Sequence, residues 1–204
     1  TGAAMKFVHR GSSSGIAAIV STSAAADRGD LRFITRGAGN VIDEKVQITE
    51  DGYLLSHKLP AFHAYGFAAH VYANSADRDP LKYNSTHYNQ GSHYSTSTGK
   101  FTAPINGIYF FAMSAMYRHV GGDFHVGIKV NNTSKTISND HQEFQASGFA
   151  GDGDLHTWVQ TQSTLVASLA ANDYVTCYMG SSTNSGTYLY NSSNYNHFCG
   201  FLVG

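Results

Sequence analysis

The sequence is short of charge, of cysteine and of long apolar runs, and each shortage excludes something. Charged residues make up 13% of the 204 positions, against ~25% in an ordinary soluble domain. The formal net charge is −1, so nothing points to nucleic acid or to an anionic membrane surface. No apolar run reaches the ~18 residues that a membrane span needs, and no signal peptide is visible. Cys177 and Cys199 are the only cysteines, too few for a disulfide scaffold. They read as two buried free thiols, or as a pair if their strands are neighbours. What carries polarity instead is Ser, Thr, Asn, Gly, Tyr and His, a profile that favours a β-rich protein. The chain opens on "TGAAMKFVHRG" without an initiator Met, which reads as the C-terminal piece of something longer.

Aromatic residues divide the chain. Tyr53 is the only tyrosine before Pro60, and Phe7 and Phe33 the only phenylalanines. A boundary is therefore expected between 57 and 62, with parts 1–59 and 60–204. The first part reads as short strands: "MKFV", "GIAAIVST", "DLRFIT", and "EKVQIT" with Val46 and Ile48 alternating, followed by a hairpin signal at Asp51-Gly52. About 59 residues with so few large apolar side chains cannot enclose a core of their own. Strand alternation argues that other chains complete it.

The second part is denser in strand signals, and no segment reads as a helix. "GIYFFAMSAMY" (107–117) is apolar on both alternating faces, with Ile108, Phe110 and Ala112 on one and Tyr109, Phe111 and Met113 on the other. "FCGFLV" behaves the same way. An antiparallel strand with one wet face would alternate apolar and polar residues. One side of each must be core, and the other must meet a partner chain. "AFHAYGFAAHVY", "DFHVGIKV", "TWVQTQSTLVASL" and "DYVTCYM" complete an all-β sandwich of eight to ten strands.

The stretch "YNQGSHYSTSTGKFTAPINGIYFF" (88–111) resembles the globular head of complement component 1q and its relatives in the tumour necrosis factor superfamily. The matching positions are Asn89, Gly91, Tyr94, Thr98, Gly99, Phe101, Pro104, Gly107, Tyr109 and Phe111. "PAF" (60–62), "IKVNN" (128–132), "LAANDYV" (169–175) and "FCGFLV" (198–203) follow in family order, and the resemblance covers 60–204. It implies a jelly-roll head of about ten strands, assembled as a homotrimer, with Phe101, Tyr109, Phe111, Phe198 and Phe201 packing the core or the threefold contact. No Gly-X-Y stalk precedes it. Instead "GDLRFITRGAGNVIDEKVQITEDGYL" (29–54) resembles a segment of bacteriophage tail fibres, which implies an interwoven trimeric shaft over 1–59.

In this topology the last strand pairs with the first and ends near the shaft, so "SSTNSGTYLYNSSNYNH" (181–197) becomes a loop at the distal tip. Its composition matches that of antibody binding loops, where Tyr supplies contact area at low entropic cost. Tyr188, Tyr190, Asn191, Asn194 and Tyr195 are the candidate receptor contacts; the alternative is a solvated loop whose tyrosines pack on the sandwich. His156 and Trp158 offer faces for a sugar ring, or Trp158 belongs to the core. Asp152 and Asp154 could ligate Ca²⁺ or simply mark a Gly-rich turn; otherwise no cofactor is implied. Eleven histidines raise a metal reading in which one His per chain meets on a threefold axis. With no His-x-His or His-x₃-His pair of ligand character, His87, His93, His119, His125 and His141 read as surface hydrogen-bonding groups. No nucleophile elbow, P-loop or zinc pattern appears, and an Asp152/Asp154 pair two residues apart does not establish glycosidase spacing.

The expectation is thus a non-enzymatic, homotrimeric receptor-binding tip of a phage tail fibre on the virion, which recognises a host-surface glycan or protein, binds no nucleic acid and inserts in no membrane. The alternatives are a secreted animal complement-type head and a purely structural trimerisation clamp.

Overall fold

The computed structural model describes residues 4–8, 16–25, 28–37, 42–56, 58–72, 78–118, 124–131, 158–181 and 188–204. The chain divides into two compact units, Thr1–Leu59 and Pro60–Gly204.

The first unit is one antiparallel meander. Its strands are β1 (Ala4–Val8), β2 (Ile16–Ala25), β3 (Arg28–Arg36), β4 (Ile42–Ile48) and β5 (Leu54–Ser56), hydrogen-bonded in chain order. The Asp51-Gly52 turn forms as its sequence demands. Gly52 takes φ +84°, a conformation that costs glycine little. Its N–H donates to the Thr49 carbonyl at 2.9 Å, and the Tyr53 N–H donates to Thr49 Oγ1 at 3.0 Å.

Cross-strand register sorts the two faces of this sheet. Met5, Ile19, Phe33 and Val46 are paired in succession across four strands, and Leu31, Ile48 and Leu54 follow on the same face. The opposite face carries a polar network in which Arg32 bonds Asp30 and Glu44, each at 3.0 Å, and Gln47 Nε2 donates to Asp30 at 2.7 Å. Among the described residues of this unit none is buried; Met5 and Leu54 are 62% and 69% exposed. The sheet has an apolar face on which Leu31 and Phe33 are each 37% exposed.

The second unit is a jelly-roll-like sandwich with no helix among the described residues. One layer is a seven-stranded sheet. It contains β6 (Ala61–Tyr65), β7 (Val71–Tyr72), β8 (Ser85–Gln90), β11 (Gly107–Arg118), β13 (Trp158–Leu169), β15 (Tyr188–Leu189) and β16 (His197–Leu202). The other layer holds β9 (Tyr94–Ser95), β10 (Lys100–Thr102), β12 (Phe124–Val130) and β14 (Tyr174–Ser181). The turn expected after "IKVNN" runs beyond Asn131 out of the described residues. "AFHAYGFAAHVY" is not the single strand its pattern suggests. Gly66, at φ +68°, breaks it into β6 and β7.

β11 is the spine of the larger sheet. It pairs with β13 along one side over its full length, and with β16 and then β15 along the other. Side chains of a strand alternate between faces. Tyr109, Phe111, Met113, Ala115 and Tyr117 of β11 are buried in the sandwich, all within 2% of complete burial. At the centre, the Phe62 ring is stacked on Tyr94 at 4.9 Å and on Phe101 at 5.1 Å, and meets Phe198 edge-on at 4.9 Å. Phe101, Tyr109, Phe111 and Phe198 are therefore core residues, as the resemblance implies. Phe201 departs from that group and stands on the outer face, 46% exposed.

That outer face is the open side of the doubly apolar strands. Phe110 is paired with Val166 on one side and Phe201 on the other, and the Phe110 and Phe201 rings are 5.3 Å apart. Ile108 is 48% and Val166 64% exposed. Further along the same face the pairs turn polar: Cys199 opposite His63, then His197 opposite Tyr65 and Ser114. Cys177 and Cys199 are both free thiols.

The packing makes a direct prediction. Phe62→Ala removes a ring that touches four core aromatics, and should cost about 3–5 kcal/mol in urea unfolding. A loss below about 1 kcal/mol would contradict the placement of Phe62 at the core centre.

Candidate functional site

The pairing of β16 with β6 settles where the polar run before the last strand lies. Phe201 is opposite Ala61 and His197 opposite Tyr65. The start of β16 is therefore at the end of the sandwich away from Pro60, where the unit begins. Part of the run is not loop. Tyr188 and Leu189 form β15, inserted between Arg118 and Tyr117 of β11 and Tyr72 and Val71 of β7. Residues 182–187 lie outside the described residues.

β15 sorts its side chains as any strand does. Leu189 is fully buried, so Tyr188 stands on the outer side. Val71 is buried likewise, and Tyr72 is 46% exposed. The result is a strip of four rings. Tyr72 and Tyr188 are 5.3 Å apart, Tyr188 and His70 4.7 Å, and His70 and Tyr190 5.2 Å in a stacked arrangement. The Asn191 N–H donates to His70 Nδ1 at 3.1 Å. That bond uses the Nδ1 lone pair, so in the neutral ring Nε2 carries the hydrogen.

One buried side chain holds the strip's supporting backbone. Asn196 is completely buried. Its Nδ2 donates to the carbonyls of Tyr190 at 2.5 Å and Ser192 at 2.8 Å, and its Oδ1 accepts from the Met116 N–H at 3.0 Å. The Tyr190 N–H donates to the Met116 carbonyl at 2.8 Å, and the Gly66 N–H to the Asn196 carbonyl at 3.0 Å. The side-chain amide of Asn196 thus ties β11 to the last turn, and its main-chain carbonyl holds the segment after β6.

The residues expected at the tip fall into groups. Tyr188 and Tyr190 are in the strip, and Asn191 is bonded to it through its backbone. Asn194 and Tyr195 are exposed in the next turn, their carbonyls engaged by His197 Nε2 at 3.3 Å and Ser114 Oγ at 3.2 Å. His156, Asp152 and Asp154 lie outside the described residues, as do His119 and His141. Trp158 is placed only by its backbone, at the start of β13. Sequence reading missed His70 and Tyr72. Only the β7–β15 register brings them to Tyr188, and a two-residue strand has no periodicity to read.

The arrangement offers flat apolar faces, tyrosine hydroxyls and a ring nitrogen at a sheet edge. Such groups stack on and hydrogen-bond a ligand; nothing in the strip is a nucleophile activated by a base. Among the described residues no group of three or more His, Cys, Asp or Glu is placed to hold a metal ion.

Asn196→Ala tests the support. It strips partners from two carbonyls and one N–H, at on the order of 1–3 kcal/mol for each group left unpaired and dry. Amide exchange at Tyr190, Asn191 and Met116 should speed up well before that of the β10–β14 pair. Equal protection in the variant would remove Asn196 from this role.

A family model for the C1q domain matches residues 61–203. Among solved structures, the globular domain of zebrafish complement 1qA protein is 18% identical, with 72% of this chain and 98% of that chain covered at a TM-score of 0.49. Eiger TNF from S. frugiperda is 11% identical, with 72% and 94% covered at a TM-score of 0.50. Murine APRIL is 11% identical, with 72% and 100% covered at 0.48. At 11% identity the Eiger TNF structure speaks to the fold alone. The family match runs from the first strand of the head to its last, and takes in the glycine and aromatic positions that shape both layers: the chain belongs to the C1q domain family.

Proposed function

We propose that this chain is a non-catalytic binding head. It associates as a homotrimer and recognises a host-surface molecule, a glycan first of all, through the aromatic strip at the distal edge of the sandwich. The tail-fibre resemblance of residues 29–54 supports reading the molecule as the receptor-binding tip of a phage fibre, on the virion. The strip His70–Tyr72–Tyr188–Tyr190 carries the binding part of this reading. Tyrosine faces match the apolar faces of sugar rings, and hydroxyls at the ring edge match sugar hydroxyls.

Two open apolar faces support self-association. The first unit buries none of its described residues, and its Ile19–Phe33–Val46 face needs a cover. The outer face of the head presents Ile108, Phe110, Val166 and Phe201 together. Contiguous apolar patches of this kind mark interaction sites. Copies held through both faces would present the strip several times, and a weak site gains avidity by repetition.

The C1q family match equally supports a secreted complement-type head. The two readings share the strip and differ in the cell that carries the ligand, so binding to bacterial and to animal cell surfaces separates them. No cofactor enters either reading, so adsorption should survive EDTA.

Light scattering on the full chain should give the mass of three chains. Phe201→Asp should lower it to one chain while the β-type circular dichroism is kept; a wild-type mass of one chain sinks the trimer. For the site, Tyr72→Ala, Tyr188→Ala and Tyr190→Ala should each lower adsorption to host cells, and the triple variant should abolish it. Full adsorption by the triple variant means that binding lies elsewhere.

A further inference from the structure

Away from the strip, three imidazoles gather on the outer face of the seven-stranded sheet. His63 of β6 and His197 of β16 are bonded ring to ring, Nε2 to Nδ1, at 3.0 Å. His87 of β8 lies against them, its ring 4.8 Å from that of His63 and stacked on Tyr65 at 4.2 Å. Tyr88 closes the side at 6.0 Å from the His63 ring. The β-bulge between His63 and Ala64 is what brings His87 to this cluster: β8 carries one extra residue there.

Hydrogen-bond direction follows from the partners. His197 Nε2 is 3.3 Å from the Asn194 carbonyl, which only accepts. Nε2 therefore holds the His197 hydrogen, and Nδ1 accepts from His63 Nε2–H. A proton added to His197 must go on Nδ1, where it faces the His63 N–H across 3.0 Å. A proton added to His63 puts charge beside His87. The groups that face His63 are His197 and Cys199 from β16, His87 and Tyr88 from β8, and Tyr65 on its own strand. None of these is a carboxylate.

We propose that the His63–His87–His197 cluster makes association through the outer face acid-sensitive. The interface is stable while the cluster is neutral and is released when the cluster takes up protons. This rests on the reading that the outer face meets other copies. Covering the face removes water that would otherwise solvate the new charge, and burial disfavours the charged form. In the chain alone, burial already holds His63 below its ordinary value, with His197 and His87 adding to the effect. A base with a depressed pKa in the packed state binds fewer protons there than when released. Stability of the assembly is therefore full above pH ~6.5, the ordinary histidine value, and is lost below it, as pH falls through the lowered range in which His63 of the free chain takes up its proton.

The test is light scattering and sedimentation on the full chain between pH 8 and 5. The association constant should fall about tenfold per pH unit for each proton taken up. His63→Gln and His197→Gln keep a hydrogen-bonding group that does not titrate, and should flatten the dependence. Wild-type mass unchanged from pH 8 to 5, or the same slope in wild type and variants, would overturn the proposal. A single-chain mass already at pH 8 is a different result: it removes the self-association reading before any acid is added, and the proposal with it. A second measurement needs no variant. In an NMR titration the His63 imidazole should titrate below the ordinary histidine value; a His63 transition at pH ~6.5 would count against the cluster.

Discussion

The head depends on one strand being held on both sides and packed into the core on one face. β16 lies between β6 and β11, so the last strand is clamped by the first strand of the head and by one of its two 12-residue strands. Inward, Phe198 and Leu202 complete the core. Gly200 of β16 has to be small: a side chain there would overlap the Phe111 ring of β11. Outward, His197, Cys199 and Phe201 form a continuous column on the open face. Pairing this strand fixes which end of the sandwich carries the turn before it, and so where the ring strip stands.

The two faces of β16 do different physical work. Core burial supplies the driving force, at about 25 cal/mol per Å² of apolar surface, and aromatic pairs at 4.9–5.1 Å add packing specificity around Phe62. The outer column instead grades along its length. It starts apolar at Phe201 beside Phe110, passes the Cys199 thiol, and ends at the His197–His63 pair. Apolar and imidazole side chains thus share one open face, at opposite ends of the same strand.

How much of this was legible in the sequence follows from what each feature depends on. The two-sided apolar pattern of residues 107–117 needs only alternation, and it correctly separates Tyr109, Phe111 and Met113 from Ile108 and Phe110. Asp51-Gly52 needs only turn chemistry. Gly66 was not legible as a break, because a glycine inside an apolar run reads equally as a close approach within a strand. Tyr72 and His70 were out of reach for the same reason: their partners are set by long-range register. His63, His87 and His197 show no ligand-like spacing, and a bulge in β8 joins them. Tyr188 was singled out by composition, but composition cannot say that it lies in a strand while Tyr195 lies in a turn.

The outer face and the distal edge are not independent. His197 bonds His63 through Nδ1 and the Asn194 carbonyl through Nε2, and Asn194 sits in the turn that Asn196 ties to Tyr190 and Met116. A charge or a rotation at His197 therefore acts on both. If the ring turns to relieve two facing N–H groups, it gives up the Asn194 carbonyl as well, and the turn loses one of its anchors. Asn196 keeps the others, since its three bonds do not involve the imidazole. Disturbance at His197 should accordingly loosen Asn194 and Tyr195 before it reaches Tyr188, which is paired on both sides in β15, and Tyr190, which Met116 and Asn196 hold. The edge that carries the strip is built to outlast changes on the face beside it.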